Sequence, residues 1–193
     1  HLTRAGKLNT ELAALRGMMA NNPAAARMAA EAATWRSHFE ESAPILLTLA
    51  KDAPGDTAVG ERAASVHRSL AAYDWRKAAD ASAVELALIK AAPRNTNARV
   101  RLGEINRDFP RVIEGKDAWR AIPEIEPGSE QGYLEAATVH WDYFEYDAAL
   151  RTIQNGRQKL QNPTLFAYEA GAIHENQRAY SKAIDEYVNG AVA

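Results

Sequence analysis

The chain has 193 residues, 47% of them hydrophobic and 25% charged, and its 23 basic and 25 acidic residues give a formal charge of -2. A chain of this length buries about 70% of its unfolded surface when compact, so one ordinary domain or one short solenoid is expected. The near balance of charges lacks the basic field that nucleic-acid binding requires, and the absence of cysteine excludes disulfides, thiolate metal sites and cysteine nucleophiles.

The first predicted elements are helices rich in alanine, the residue with the highest helix propensity. An N-terminal helix is predicted over 1–21, with Asn9 or Thr10 as its N-cap and LAALRGMMA as its apolar body. A helical pair with a weaker pattern follows over 22–56. The glycine-bounded stretch GDTAVG at 55–60 favours an irregular connection, which is expected at 57–61.

The last part of the chain repeats itself with a period of 34 residues. Aligning 130–159 with 164–193 gives seven identities over thirty positions, and internal repeats of about 20 to 50 residues indicate a solenoid. Apolar and small residues follow helical spacing in two blocks per unit, so each unit is predicted to be a pair of helices. The identical pairs are Glu135/Glu169, Ala136/Ala170, His140/His174, Tyr146/Tyr180, Ala149/Ala183, Asn155/Asn189 and Gly156/Gly190.

These units resemble the tetratricopeptide repeat family, whose unit of about 34 residues has the order W-x2-L-G-x2-Y, then A-x3-F, then P. In 130–163 the slots hold Tyr133, Ala136, Ala137, His140, Ala149 and Ile153. In 164–193 they hold Ala167, Ala170, Gly171, His174, Ala183 and Tyr187. The resemblance implies an all-α, right-handed superhelical solenoid of antiparallel helix pairs, with a concave groove that binds a segment of a partner protein.

The same period extends upstream with departures from the family pattern. The predicted units are 62–95, 96–129, 130–163 and 164–193, the last of them truncated. In the second helix of 96–129, Trp119 matches the bulky slot, whereas Gly115 stands at the small-residue slot and Pro110 in the turn before it. The second helix of 62–95 fits poorly, because Glu85 stands where the family places an aromatic residue.

The repeated histidine is the main candidate for chemistry, because histidine is the commonest metal ligand and general base. Equivalent residues on successive repeats lie about 8 to 10 Å apart, the spacing of packed helices, whereas zinc binds imidazole nitrogen at about 2.1 Å. We therefore favour a structural role for His140 and His174, in a slot where the family places a packing tyrosine. His38 and His67 have no accompanying motif and are expected to be solvated or locally bonded. No catalytic residue, metal ligand or cofactor is predicted.

Acidic and amide residues recur at the ends of the first helices. They are Asp74, Asp108, Asp142 and Asn176, each 34 residues from the next. The resemblance places this slot in the concave groove, where stacked repeats would align the side chains into a ladder. Aspartate opposes the helix dipole at this position, so one hypothesis is an acidic stripe for a basic or amide-rich partner segment. The interpretation we favour is that these side chains bond the local turn or cap the following helix.

The resemblance places further side chains in the same groove. Tyr73, Trp141 and Tyr168 are of the types that dominate binding hot spots, and packing against neighbouring helices is an equally supported role. Carboxylate-clamp repeats need basic and amide residues where this chain has Val100, Leu134, Glu104 and Thr138, so clamp function is not expected. The predicted partner-binding residues are Tyr73, Asp74, Glu104, Arg107, Asp108, Leu134, Thr138, Trp141, Asp142, Tyr168 and Glu175.

The sequence favours a non-enzymatic scaffold for protein-protein interaction. One alternative is a regulatory or assembly segment of a larger multidomain protein, and a weaker one is a helical domain that binds a metal or a small molecule at the repeated histidines. Homo-oligomerisation through the truncated last unit is also predicted. The longest apolar run, APILLTLA at 43–50, is far shorter than the roughly 18 residues of a membrane span, so membrane insertion is not expected. The chain begins at His1 and stops inside a helical pattern, so we interpret it as part of a longer protein whose compartment is undetermined.

Overall fold

A computed structural model describes residues 10, 14, 17–35, 37–109 and 117–192 of the chain. Within these ranges there is no β-strand, and the all-α prediction is confirmed. The helices are α1 (Pro23–Trp35), α2 (Phe39–Asp52), α3 (Thr57–Tyr73), α4 (Ala78–Ala91), α5 (Thr96–Asp108), α6 (Glu130–Asp142), α7 (Tyr146–Leu160), α8 (Ala167–Asn176) and α9 (Tyr180–Ala191). Most of the predicted helix over 1–21 lies outside the described residues, as do Pro110 and Gly115. None of the described helices is long and apolar enough to cross a bilayer.

The helices fall into two compact units. Unit 1 is His1–Gly115 and contains α1 to α5, while unit 2 is Lys116–Ala193 and contains α6 to α9. Consecutive helices pack on each other in both units, and connections of only a few residues make such neighbours antiparallel. The pairs α1–α2 and α3–α4 follow the predicted period in unit 1, as α6–α7 and α8–α9 do in unit 2.

The connection between the second and third helices lies at 53–56, and the prediction that placed it at 57–61 is wrong. The Asp56 carboxylate accepts a hydrogen bond from the backbone N–H of Val59 at 3.2 Å, so it caps a helix that begins at Thr57. Gly60, which suggested a break, lies inside α3. A Cβ atom there would come within 2.8 Å of the Leu88 side chain on α4. This glycine therefore allows two helices to pack closely.

Residues 117–128 form turns and bends, and the prediction of a second helix in unit 96–129 is wrong over this stretch. Pro123 and Pro127 lack the backbone N–H that a continuing helix would use. Trp119 is nevertheless buried, with its ring 5.3 Å from that of His140 and 5.0 Å from that of Tyr143. The repeat thus keeps its bulky core side chain without the helix that normally carries it.

Small residues occupy the positions where helices touch, as the repeat pattern predicts. In unit 2, Ala137, Ala149 and Ala170 are buried in a core with Ile153 and Ile173. In unit 1 the corresponding core comprises Ala30, Ala43, Leu46, Ala63, Ala64, Val66, Val84, Leu88 and Ala98. Alanine supplies little apolar area, so much of the stability depends on close helix packing rather than on large side chains.

Glu85, which occupies an aromatic slot of the repeat, is completely buried in α4. Its carboxylate accepts hydrogen bonds from Nε and Nη2 of Arg101 on α5, at 2.7 and 3.0 Å. Arg101 also pairs with Glu61 on α3 at 2.8 Å. Burial raises the pKa of the Glu85 carboxyl, and Arg101 opposes that shift. An ion pair that joins three helices therefore replaces the aromatic ring of the family pattern.

Candidate functional site

A polar groove lies between α3 and α5, the first helices of two consecutive repeats in unit 1. Its volume is about 520 Å³. Six of its ten described lining residues are charged or carry a hydroxyl, and Ile105 and Phe109 contribute apolar surface. We term it the α3–α5 groove; its remaining lining residues are Glu61, Ser65, Arg68, Ser69, Ala71, Ala72, Arg101 and Asp108.

Three interhelical ion pairs hold the cations of the α3–α5 groove in place. Arg68 donates a hydrogen bond to the Glu104 carboxylate at 2.8 Å, and Arg101 is held by Glu61 and Glu85. Asp108 differs from these acids, because it is exposed at the end of α5 and no described residue bonds its carboxylate. The groove therefore combines fixed cations with one acid that is open to an incoming donor.

The other predicted residues of unit 1 lie elsewhere. Tyr73 is 83% exposed, and its ring centroid lies 6.4 Å from that of Phe39 on α2. The Asp74 carboxylate accepts hydrogen bonds from the backbone N–H and from Nε of Arg76, at 3.1 and 2.8 Å, and these bonds hold the pKa of Asp74 below its usual range. Asp74 thus caps its local turn, as the interpretation we favoured predicts. Arg107 is exposed on α5 and is bonded within the chain.

In unit 2, α6 carries four of the predicted residues in two different environments. Leu134 and Trp141 are half-buried, and Trp141 packs against the Ala137–Ile153 core. Thr138 and Asp142 are exposed, and no described residue bonds the Asp142 carboxylate. Trp141 therefore contributes to packing, whereas Asp142 remains open to a ligand.

The two predicted residues of α8 both meet the second helix of their own pair. Tyr168 is 72% exposed, with its ring centroid 5.9 Å from that of Tyr187 on α9. Desolvation, and then the hydrogen bond from its hydroxyl to Glu175, raise the pKa of Tyr187. A Cβ at Gly171, between these positions on α8, would lie 2.3 Å from the Tyr187 ring. Tyr168 and Glu175 thus both contact the Tyr187 side chain, and the ring of Tyr187 packs against Gly171.

The repeated histidines have local partners. His140 Nδ1 lies 2.8 Å from the Glu145 carboxylate, and His174 Nδ1 lies 3.3 Å from the Gln177 side-chain oxygen. Over the ranges that the structure describes, no group of three or more histidine and acidic side chains is arranged to hold a metal ion. Both side chains therefore have polar partners within their own repeats.

Two features of unit 1 were missed from the sequence. Arg68 and Arg101 pair with acids 36 and 16 residues away. The available signal was the seven-residue spacing of Glu61 and Arg68, which lie on α3. The expectation that His67 is solvated or bonded covers only one of its two ring nitrogens, since the ring bonds the backbone of Ala43. It is buried in α3, and its Nε2 has no hydrogen-bond partner among the described residues.

No protein-family model matches the chain, and no curated protein matches its sequence. Among solved structures, one described as the crystal structure of MamA protein is similar with a TM-score of 0.53 and 11% identity, over 90% of this chain and 91% of that chain. A MamA fragment, 41 to the end, from Desulfovibrio magneticus RS-1 gives 0.50 and 13% over 89% and 94%. A tetratricopeptide repeat protein from Parabacteroides merdae ATCC 43184 gives 0.52 and 13% over 95% and 72%. At these identities the likeness concerns the fold, and it confirms that this chain has a tetratricopeptide-repeat-like fold.

Proposed function

We propose that this chain is a non-enzymatic scaffold that binds a segment of a partner protein along the first helices of consecutive repeats within a unit. The observation that carries the proposal is the α3–α5 groove, in which the open Asp108 carboxylate stands beside cations already fixed by their own acids. A groove whose charges are held in place loses little side-chain entropy when a partner binds.

The chemistry of the groove favours a basic or amide-rich partner segment. Asp108 offers an acceptor to lysine, arginine, asparagine or glutamine, and the Ser65 and Ser69 hydroxyls add neutral hydrogen-bonding groups. Glu61 and Glu104 are already occupied by arginines, so they act chiefly by positioning those cations. In unit 2 the exposed Asp142 offers the same acceptor at the equivalent repeat position.

The test is selection from a peptide library displayed on phage, with the whole chain immobilised. Peptides recovered on the native chain should be enriched in basic and amide residues. Their affinity should fall by about fivefold to tenfold in an Asp108→Asn, Asp142→Asn variant, because charge-assisted hydrogen bonds become neutral ones. The loss should shrink as salt is raised, since exposed charges are screened.

A matched control separates site effects from net charge. Asp52 and Asp185 are exposed on second helices, one in each unit, so an Asp52→Asn, Asp185→Asn variant carries the same change in charge. We expect the control to bind the recovered peptides as the native chain does. Equal affinities for all three proteins, each shown to be folded by circular dichroism, would overturn the proposal.

Self-association is proposed as a second property, through α9. Tyr180, Ile184 and Val188 on this helix and Val192 at its C-cap recur every fourth residue and are 55 to 80% exposed. An exposed apolar stripe of this kind is typical of a surface that another helix covers in a repeat array, and we assign it to a second copy of this chain. A monomer by light scattering at high protein concentration counts against this assignment.

The two alternative functions predict different results. If the chain is a regulatory or assembly segment of a larger protein, another part of the same polypeptide occupies the groove, and the full-length protein should not bind the selected peptides. If the repeated histidines form a metal or small-molecule site, the chain should bind stoichiometric metal that an His140→Ala variant loses. The bond between His140 and Glu145 favours the scaffold over this second alternative.

A further inference from the structure

A second, larger cavity opens on the other side of unit 1, between the second helices α2 and α4. Its volume is about 1100 Å³, and α3 forms its floor. Side chains from α2 and α4 make two facing walls, so the cavity is bounded on three sides by helices. Its apolar lining residues include Ala43, Pro44, Leu47, Ala50, Leu70, Ala83, Val84, Ala87 and Leu88. We term it the α2–α4 cavity; the predicted groove of the repeat family lies on the first helices and does not include it.

His67 supplies a polar atom on this otherwise apolar floor. Its side chain lines the cavity, its residue is only 6% exposed, and Nε2 is buried without a hydrogen-bond partner among the described residues. Buried polar atoms are nearly always paired, because an unpaired one loses its hydration without compensation. A buried nitrogen without a partner, on a side chain that lines a cavity, is therefore a place where a bound molecule would complete the bonding.

The protonation state of the His67 ring identifies the kind of partner that Nε2 lacks. Burial lowers the pKa of His67, so the imidazole is neutral near neutral pH, and a hydrogen bond with the backbone of Ala43 acts in the opposite direction. A neutral imidazole has one N–H and one acceptor nitrogen. Because a backbone carbonyl is an acceptor, the bond to Ala43 uses the N–H of the ring. Nε2 is then the acceptor, and its absent partner is a hydrogen-bond donor.

The charges around the cavity do not select a charged ligand. Acids and bases are equal in number among its described lining residues; they are Glu40, Lys51, Asp56, Lys77, Asp80 and Lys90. Two of these acids are already engaged, since Asp56 pairs with Arg27 and Asp80 lies 4.0 Å from Lys77. The apolar lining and the unpaired Nε2 of His67 therefore determine which class of ligand the cavity selects.

We propose that the α2–α4 cavity binds a small, uncharged and largely apolar molecule that donates a hydrogen bond from a hydroxyl or N–H group to Nε2 of His67. Cavities of about 300 to 1,000 Å³ with apolar walls and a few placed polar groups are typical of small-molecule sites, and this one, at about 1100 Å³, is slightly larger than that range. The site is separate from the α3–α5 groove, so peptide binding there neither requires it nor tests it.

The probes are 1-naphthol and 1-methoxynaphthalene, which have the same aromatic body and differ in the hydroxyl donor. Titration of the whole chain by calorimetry, with amide chemical shifts to locate binding, should give a preference of about tenfold for 1-naphthol, the value of one hydrogen bond to a buried acceptor. In a His67→Phe variant the preference should disappear, while binding of the methyl ether remains.

A second variant keeps the test independent of His67. Ala87 is an exposed wall residue of the cavity, and Ala79 is an exposed residue of α4 outside it. Ala87→Trp should block both probes, whereas Ala79→Trp should bind them as the native chain does. Equal affinity for the two probes, failure of both to bind the native chain, or binding that Ala87→Trp leaves unchanged would each overturn the proposal. The last result would point to another site, and the second to a cavity filled by water alone.

Discussion

The buried pair of Glu85 and Arg101 should behave as a coupled unit. Replacing Arg101 by methionine leaves a carboxylate that is 0% exposed without its cation, and breaking a buried pair in this way costs about 3 to 5 kcal/mol of unfolding free energy. Replacing Glu85 by glutamine should cost less, about 1 to 2 kcal/mol, because the amide still accepts a hydrogen bond and Arg101 keeps its bond to Glu61.

The decisive protein is the double variant Glu85→Leu, Arg101→Met, assayed by urea denaturation followed by circular dichroism. An apolar pair of similar volume removes both buried charges, so its unfolding free energy should lie within about 1 kcal/mol of the native value. Arg62→Met is the control: it breaks an ion pair with Glu31 whose side chains are 34 and 38% exposed, and it should cost less than about 1 kcal/mol. If the costs of Glu85→Leu and Arg101→Met simply add in the double variant, the two side chains are not coupled and the reasoning is refuted.

Three further predictions concern other parts of the chain. Because burial lowers the pKa of His67, the unfolded chain takes up its proton more readily, so this residue should make stability fall as pH drops below its ordinary value of 6.5. His67→Phe should reduce the difference in urea midpoint between about pH 7 and about pH 5, and an unchanged difference contradicts the assignment. Glutamate at both Ile184 and Val188 should convert any dimer to monomer in light scattering without loss of helix content. Gly171→Ala should cost about 1 to 3 kcal/mol by overpacking, since the new Cβ would meet the Tyr187 ring; a stability gain in thermal unfolding contradicts this.

The helical pairs could be predicted because their signals are local or periodic. Apolar and small residues at helical spacing, repeated every 34 residues, specify which segments pair and which residues touch. The predictions at Gly60 and Trp119 were wrong because the same residue type can serve two different structural roles. Gly60 marked a loop in the pattern, but inside α3 it serves close contact with Leu88. Trp119 matched a helical slot, but its burial does not require a helix.

The candidate site was only partly predictable, because equivalent repeat positions acquire different neighbours. Asp74 and Asp108 occupy the same slot, but the 3-10 turn Trp75–Lys77 brings Arg76 back to Asp74, whereas no described residue bonds Asp108. Sequence spacing alone contains nothing that separates the two. The ladder of acids was therefore visible from the sequence, while the division between a turn cap and an open acceptor was not.

By itself, the sequence determined the fold class, the helical pairs and the small-residue contacts of this protein, since these depend on propensity and periodicity along the chain. Tertiary structure decided which charges meet and which polar atom stays open. Arg68 reaches Glu104 across 36 residues, and Arg101 reaches Glu85 across 16. The open nitrogen of His67 depends on the space that α2 and α4 leave above α3. Helix rotation and separation set these outcomes, and both are properties of the packed array rather than of any one segment.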